Sequence, residues 1–328
     1  MSTTGKTGTG PEGGGRVKGT GDSGGVHTDP SAISDLTDAA EQEHSSVAPD
    51  GSKVGYKAGR TLPIRVELIR QLRRRRTQLV LGFLVLLPFI LVVSFELGQS
   101  SPNRRSGGFV DLATASGVNF VILTLFVSGS FLLPMIVALF FGDTIASEAS
   151  WSSLKYLLAA PVPRHRLLRR KALASGLLSV FALVLLPAVA LGVGVAWYGA
   201  GEAVSPTGEA ASFGSGVYGI ALAVCYISIH LFWVAGLALY LSVSTDAPLG
   251  AVGGAVLASI LSQILDQITA LEDLRNYLPT HYALAWADLL SSDVDWAQMA
   301  KGTFSALAFG AFFSLLAARK FARKDITS

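Results

Sequence analysis

The stretch Gly142-Asp-Thr-Ile-Ala-Ser-Glu-Ala-Ser-Trp-Ser-Ser-Leu-Lys-Tyr-Leu-Leu-Ala-Ala-Pro-Val-Pro-Arg-His-Arg-Leu-Leu-Arg-Arg-Lys171 lies between two long apolar runs. Neither flank is compatible with water, yet the stretch itself is too polar to cross a bilayer. It reads as a cytoplasmic loop of a polytopic membrane protein, with an amphipathic helix at 148–158, a break at Pro161 and Pro163, and a basic ramp into the next span. A helix held there can receive a push from a soluble partner.

Working outward, half of the 328 residues are hydrophobic and 15% are charged, and the mean hydropathy is +0.48. That balance lies outside the range of ordinary soluble domains. A hydrocarbon core of roughly 30 Å needs about 20 apolar helical residues. Six segments qualify: 79–97, 118–141, 172–198, 217–243, 249–270 and 302–318. Gly82, Pro88, Pro134 and Pro187 fall inside them, as lipid-embedded helices tolerate. The expected fold class is all-α, a membrane domain at 60–328 with six transmembrane helices and no sign of the short alternating segments of a barrel.

An isoelectric point near 9.0 raises the question of nucleic acid, and the placement of Lys and Arg answers it. Residues 60–78 hold seven, 142–171 six and the C-terminal tail four, whereas the connectors 98–117, 199–216 and 271–301 hold two, none and two. This asymmetry follows membrane topology and predicts both termini and the long insert on the cytoplasmic side, with no nucleic-acid partner. Residues 1–59 carry thirteen of the 35 glycines and one aromatic, too little apolar surface to offset ordering entropy, and are expected to form a disordered cytoplasmic tail rather than a cleaved leader. Within that tail, Gly21-Asp-Ser-Gly-Gly25 spells a serine-protease string without the folded His and Asp that its chemistry needs.

Just before the first span, Leu62, Ile64, Leu68, Ile69 and Leu72 alternate with arginines. The pattern predicts a helix lying in the interface, with Arg70, Arg73, Arg74, Arg75 and Arg76 against anionic headgroups of the lipid bilayer. The connector at 279–290 reads as a short helix on the outer surface, with Trp286 and Trp296 at headgroup level. Asp266 shares one helical face with Gln263 and Gln267 near the outer end of the fifth span, and His230 lies mid-way along the fourth. These four are candidates for a substrate path, because intramembrane polar groups are costly unless used. The single cysteine, Cys225, excludes an intrachain disulfide and a Cys-rich metal site, and His230 has no partner at ligand spacing. Neither a P-loop nor an intramembrane protease motif occurs, so no catalytic or metal-binding residue is assigned.

The loop carries a further pattern: Asp143, Ile145-Ala146, Glu148, Leu154-Lys155, Leu157-Leu158, Pro161-Val162, Arg164 and Lys171. It resembles the loop after the second span in permease subunits of ABC-2 type ATP-binding-cassette transporters. The similarity extends over about residues 60–326, including the basic leading helix and a C-terminal Phe321-x-x-Lys-Asp-Ile326. Ser152-Ser153 stands where the family usually has Gly-Thr. The resemblance implies a bacterial inner-membrane half-transporter that pairs with a second permease chain, identical or related, and with two copies of an ABC ATP-binding subunit. ATP and magnesium would be held by that partner and no cofactor by this chain. It assigns ATPase coupling to Glu148, Trp151, Lys155, Tyr156 and Arg164, and export of an amphipathic substrate as the activity. Alternatives are mechanical transmission for metalloprotein maturation or an envelope or gliding machine, and, in another class, an ion-coupled carrier or channel.

Overall fold

The computed structural model describes residues 63–99, 109–150, 163–204, 210–290 and 294–323. The expected tail at 1–59 and most of the expected helix at 148–158, including Trp151, Lys155 and Tyr156, lie outside the described residues. The chain opens with a short helix α1 (Ile64–Leu72), continues through α2 (Arg75–Gln99) and a five-residue α3 (Phe109–Ala113), and reaches α4 (Gly117–Gly129). Then follow α5 (Leu132–Ser150) and α6 (Arg164–Tyr198), α7 (Phe213–His230) and α8 (Phe232–Ser244), joined through Leu231, α9 (Pro248–Asp266) and α10 (Trp296–Ala322). Among the described residues six helices are long and apolar enough to cross a membrane: α2, α5, α6, α7 with α8, α9 and α10. Between α6 and α7 a two-residue antiparallel pair, β1 (Ala203–Val204) with β2 (Ala210–Ala211), is a small addition to the all-α expectation.

Helix ends follow local chemistry. Ser116 caps α4 by accepting the Asn119 N–H, Asp295 caps α10 by accepting from Ala297 and Gln298, and Pro248 opens α9 where its missing N–H costs nothing. Gly199, at φ +83°, ends α6 in a conformation that a side chain would resist.

The second span departs from the predicted 118–141 in two ways. It is broken at Ser130 and Phe131, four residues ahead of Pro134, whose ring nitrogen cannot donate to the Ser130 carbonyl. That carbonyl instead accepts from Gln263 Nε2 of α9 at 2.6 Å. The span also runs on to Ser150. Residues 142–148, read from sequence as the start of a loop, stay helical and buried because neighbouring helices supply countercharges. Likewise α6 starts at Arg164 rather than 172, and the fifth span stops at Asp266 and gives way to a 3-10 turn at Thr269–Tyr277 that bends at Glu272.

Helix α5 is the most enclosed span, 78% buried along its apolar stretch, against 17% for α2 and 22% for both α9 and α10. Small residues permit the tightest approaches. A Cβ at Gly236 of α8 would fall 2.5 Å from the Gly310 carbonyl of α10, so these two backbones meet where only glycine fits. Trp286, expected at the membrane surface, is buried within the protein. It is 1% exposed in a 3-10 turn at Ala285–Leu290, with its ring 4.7 Å from that of Phe126 in α4, because folding back over the bundle buries more of the indole than the interface would. Trp296, at the start of α10, is 61% exposed.

Candidate functional site

Three helices each present an i, i+4 polar pair to one place. From α1 come Glu67 and Gln71, from α5 Thr144 and Glu148, and from α6 Lys171 and Ser175, all buried. Residues four apart on a helix stack on one face, so each pair enters the contact as a unit. Lys171 Nζ donates to Glu67 Oε1 at 3.3 Å and also to Glu148. Gln71 Nε2 donates to Glu67 at 3.2 Å and to Ser175 Oγ at 3.4 Å, and the hydroxyls of Thr144 and Ser175 share a hydrogen bond of 2.6 Å.

Arginines close the cluster. Arg70 pairs with both Glu67 and Glu148. Arg74 meets Asp143 at 2.5 Å and Ser147 Oγ at 3.3 Å, while Arg76 pairs with the other oxygen of Asp143. At the same level Ser242 of α8 accepts the backbone N–H groups of Ile145 and Ala146. Three buried carboxylates thus face four cations, of which Lys171 is buried and the three arginines are partly exposed, so each carboxylate taken out of water has a positive partner. Burial opposes ionisation of Glu67, but Lys171 and Arg70 outweigh it and hold the carboxyl below its ordinary value. Burial likewise opposes the charge on Arg70, and Glu148 and Glu67 outweigh that penalty. The cluster contains no activated nucleophile, and among the described residues no group of His, Cys, Asp or Glu is placed to hold a metal ion. Chemically it is a joint: it fixes the ends of α5 and α6 to α1 and to the start of α2.

The profile of the family described as "ABC-2 family transporter protein" matches residues 64–244, from the first residue of α1 to the last of α8, and so encloses the whole joint. The chain belongs to the ABC-2 family of transporter proteins. No curated protein matches it. This ABC-2 chain is therefore a multi-pass membrane subunit of a transporter.

Several residues expected at its sites are placed differently. Glu148 was read as the start of a helix offered to a soluble partner. In this ABC-2 chain it is 4% exposed and faces Arg70 and Lys171, whose charges offset the cost of taking the carboxylate out of water. Arg164 opens α6 and donates to the Ala322 carbonyl at the end of α10. In the leading helix α1, Glu67 and Gln71 point inward, whereas Val66, Ile69 and Leu72 are 58%, 40% and 37% exposed. Arg70, Arg74 and Arg76 meet carboxylates, and among the described residues Arg73 and Arg75 of the predicted basic set are exposed without such a partner. Glu67 is the only acid between 60 and 78, and its signal in the sequence is that of a lone carboxylate among seven basic residues.

At the opposite end of α9, Asp266 pairs with His281 Nδ1 at 2.6 Å, and Ser262 bonds Thr280 at 2.6 Å. Together with Tyr226 Oη donating to the Tyr282 carbonyl, these contacts tie the 269–290 segment of the ABC-2 chain to its bundle. Gln263 serves the break in the second span, and Gln267 is the exposed C-cap of α9. His230 is buried and stacked on Tyr226, ring centroids 5.7 Å apart. The four polar candidates do not converge on one site.

Proposed function

We propose that the chain is the permease subunit of an ATP-driven exporter in a bacterial inner membrane, with the joint at its cytoplasmic end. A separate ATPase subunit in two copies would bind ATP and magnesium, a second permease chain, identical or related, would complete the path, and the cargo would be amphipathic. The observation that carries this reading is the position of the joint. Glu148 and Lys171 flank the segment 151–162, and both belong to the same buried cluster. A push delivered to that segment by a partner reaches the ends of α5 and α6 together and, through Glu67 and Arg70, takes α1 with them.

In this scheme Trp151, Lys155 and Tyr156 contact the ATPase. Glu148 transmits rather than contacts, and Arg164 extends the linkage to α10 through Ala322. A population shift of a few kcal/mol is enough to reset a two-state bundle, and a buried charge cluster that joins three helix ends is a suitable element for it. Seventeen Lys and Arg in the segments assigned to this side, against four in the other connectors, support its cytoplasmic placement.

The test is purification of the tagged full chain in mild detergent, with identification of bound proteins and an ATPase assay. Trp151→Ala/Lys155→Glu is expected to lose a P-loop ATPase, whereas Lys171→Met is expected to retain it but to hydrolyse ATP without transport. Recovery of the chain without any ATPase would sink the proposal and favour an ion-coupled carrier. Asp266→Asn then asks whether the α9 end lines the path, and unchanged transport would remove it.

A further inference from the structure

Where α1 gives way to α2, the ion cluster has a surplus of positive charge. Asp143 is the carboxylate at this end, and it faces two guanidinium groups, those of Arg74 and Arg76. Each engages the carboxylate through Nη1 alone, and Arg74 Nη1 also reaches Ser147 Oγ. A guanidinium has five N–H donors, so most of those on both arginines are left over among the described residues. Between the arginines and α5 lies a notch lined by Arg74, Arg76, Thr77, Asp143, Leu139 and Phe140. Gln71 borders it too, but its amide already serves Glu67 and Ser175. We propose that this notch is a binding site for a small monovalent inorganic anion of the chloride type.

Hydrogen bonding, the helix end and the walls of the notch select that occupant. Thr77 is 3% exposed. Thr124 and Thr144 return their hydroxyls to the carbonyl four residues back, whereas the Thr77 hydroxyl, beside the notch, has no hydrogen-bond partner among the described residues. A buried hydroxyl left unpaired is costly, and an anion is the acceptor it lacks. The notch also lies at the N-terminus of α2, a helix of 25 residues. There the N–H groups of Arg75, Arg76 and Thr77 have no backbone acceptor among the described residues, as the first turn of a helix dictates, and the helix dipole adds to the positive potential. Two arginines against one aspartate leave a single surplus charge, which a monovalent ion balances. Leu139 and Phe140 make one side of the notch apolar, which favours a weakly hydrated ion over a strongly hydrated dianion. With its open side the notch encloses about 230 Å³, room for an ion and a few waters but less than the roughly 300–1,000 Å³ of a site for a drug-sized molecule. The bound ion neutralises the arginine pair and ties the start of α2 to α5.

This site needs no ATPase partner, so its failure is distinguishable from failure of the permease reading. The full chain is purified in detergent, and its unfolding midpoint is followed as sodium gluconate is replaced by sodium chloride or bromide at constant ionic strength. A saturable rise is expected, as a ligand of the folded state gives. Thr77→Val keeps the shape of the side chain and removes the hydroxyl. It is expected to raise the half-saturating chloride concentration by about tenfold, the loss of one hydrogen bond to a charged group. Thr77→Ser is expected to respond as the wild type does, and so is Arg169→Gln, which removes an exposed arginine of α6. Bromide-soaked crystals should show an anomalous peak beside Thr77 that is absent in Thr77→Val. Equal midpoints in gluconate and chloride, an equal response of wild type and Thr77→Val, or a bromide peak only elsewhere would overturn the proposal. A Thr77-dependent rise produced by phosphatidylglycerol and not by chloride would also overturn it, by assigning the notch to a lipid phosphate. Because the Thr77 hydroxyl has no protein partner to lose, the midpoint of Thr77→Val in gluconate serves as the check on folding.

Discussion

Lys171 of α6 and Glu148 of α5 are ion-paired inside the bundle, with the lysine 2% and the glutamate 4% exposed. A lysine so buried is stable only while its carboxylates stay charged, and the same holds in reverse. The pair therefore makes two helix ends move as one.

Removing the cation is expected to cost far more than removing the pair. Lys171→Met leaves buried Glu67 and Glu148 to share the partly exposed Arg70 alone and should lower stability by up to about 3–5 kcal/mol. Lys171→Met/Glu148→Met should recover part of that loss. Thermal unfolding of the purified full chain measures both, and a double variant no better than the single would contradict the assignment of the loss to stranded charge.

Stability on acidification should carry the signature of Glu67. Its carboxyl titrates below the ordinary 4.5 in the folded chain, so its contribution is fully present above about pH 4.5 and is lost as pH falls through the lowered folded value. Glu67→Gln is expected to be less stable at neutral pH and to show a shallower decline in acid. Parallel curves for the two proteins would show that the pairing contributes nothing.

The approach of α8 to α10 tolerates no side chain. Gly236→Val places a Cβ 2.5 Å from the Gly310 carbonyl and is expected to cost about 1–3 kcal/mol by overpacking. Gly82→Val, where nothing lies within 4 Å, should be close to neutral in the same unfolding assay.

Trp286 anchors the segment between α9 and α10. Trp286→Ala should cost about 3–5 kcal/mol and should expose 269–290 to protease added to intact vesicles. Protection equal to wild type would mean that the Asp266 to His281 and Ser262 to Thr280 contacts suffice.

Gln263 serves the broken second span. Gln263→Leu leaves the Ser130 carbonyl without its 2.6 Å donor and should cost about 1–3 kcal/mol. Adding Pro134→Ala returns a backbone donor to the helix and is expected to restore most of the loss.

Much of this architecture is legible in the amino-acid order. Apolar run length predicts six spans, and the Asp143 to Lys171 pattern leads to the family. These are local properties: the amount of apolar surface per turn and the charge of each connector do not depend on what the segment later touches. The facing of α1 is not local. Its periodicity defines an apolar and a polar side, but which one turns inward depends on Lys171, 104 residues away from Glu67, and on Glu148, 78 residues from Arg70. The same applies to Gln263, a polar residue on a membrane helix until Pro134, on another helix, leaves a carbonyl for it to satisfy. Sequence by itself determined that this is a six-span ABC-2 membrane subunit. Only the tertiary structure decided which charges are buried together, because a buried charge is stabilised by partners that distant segments bring to it.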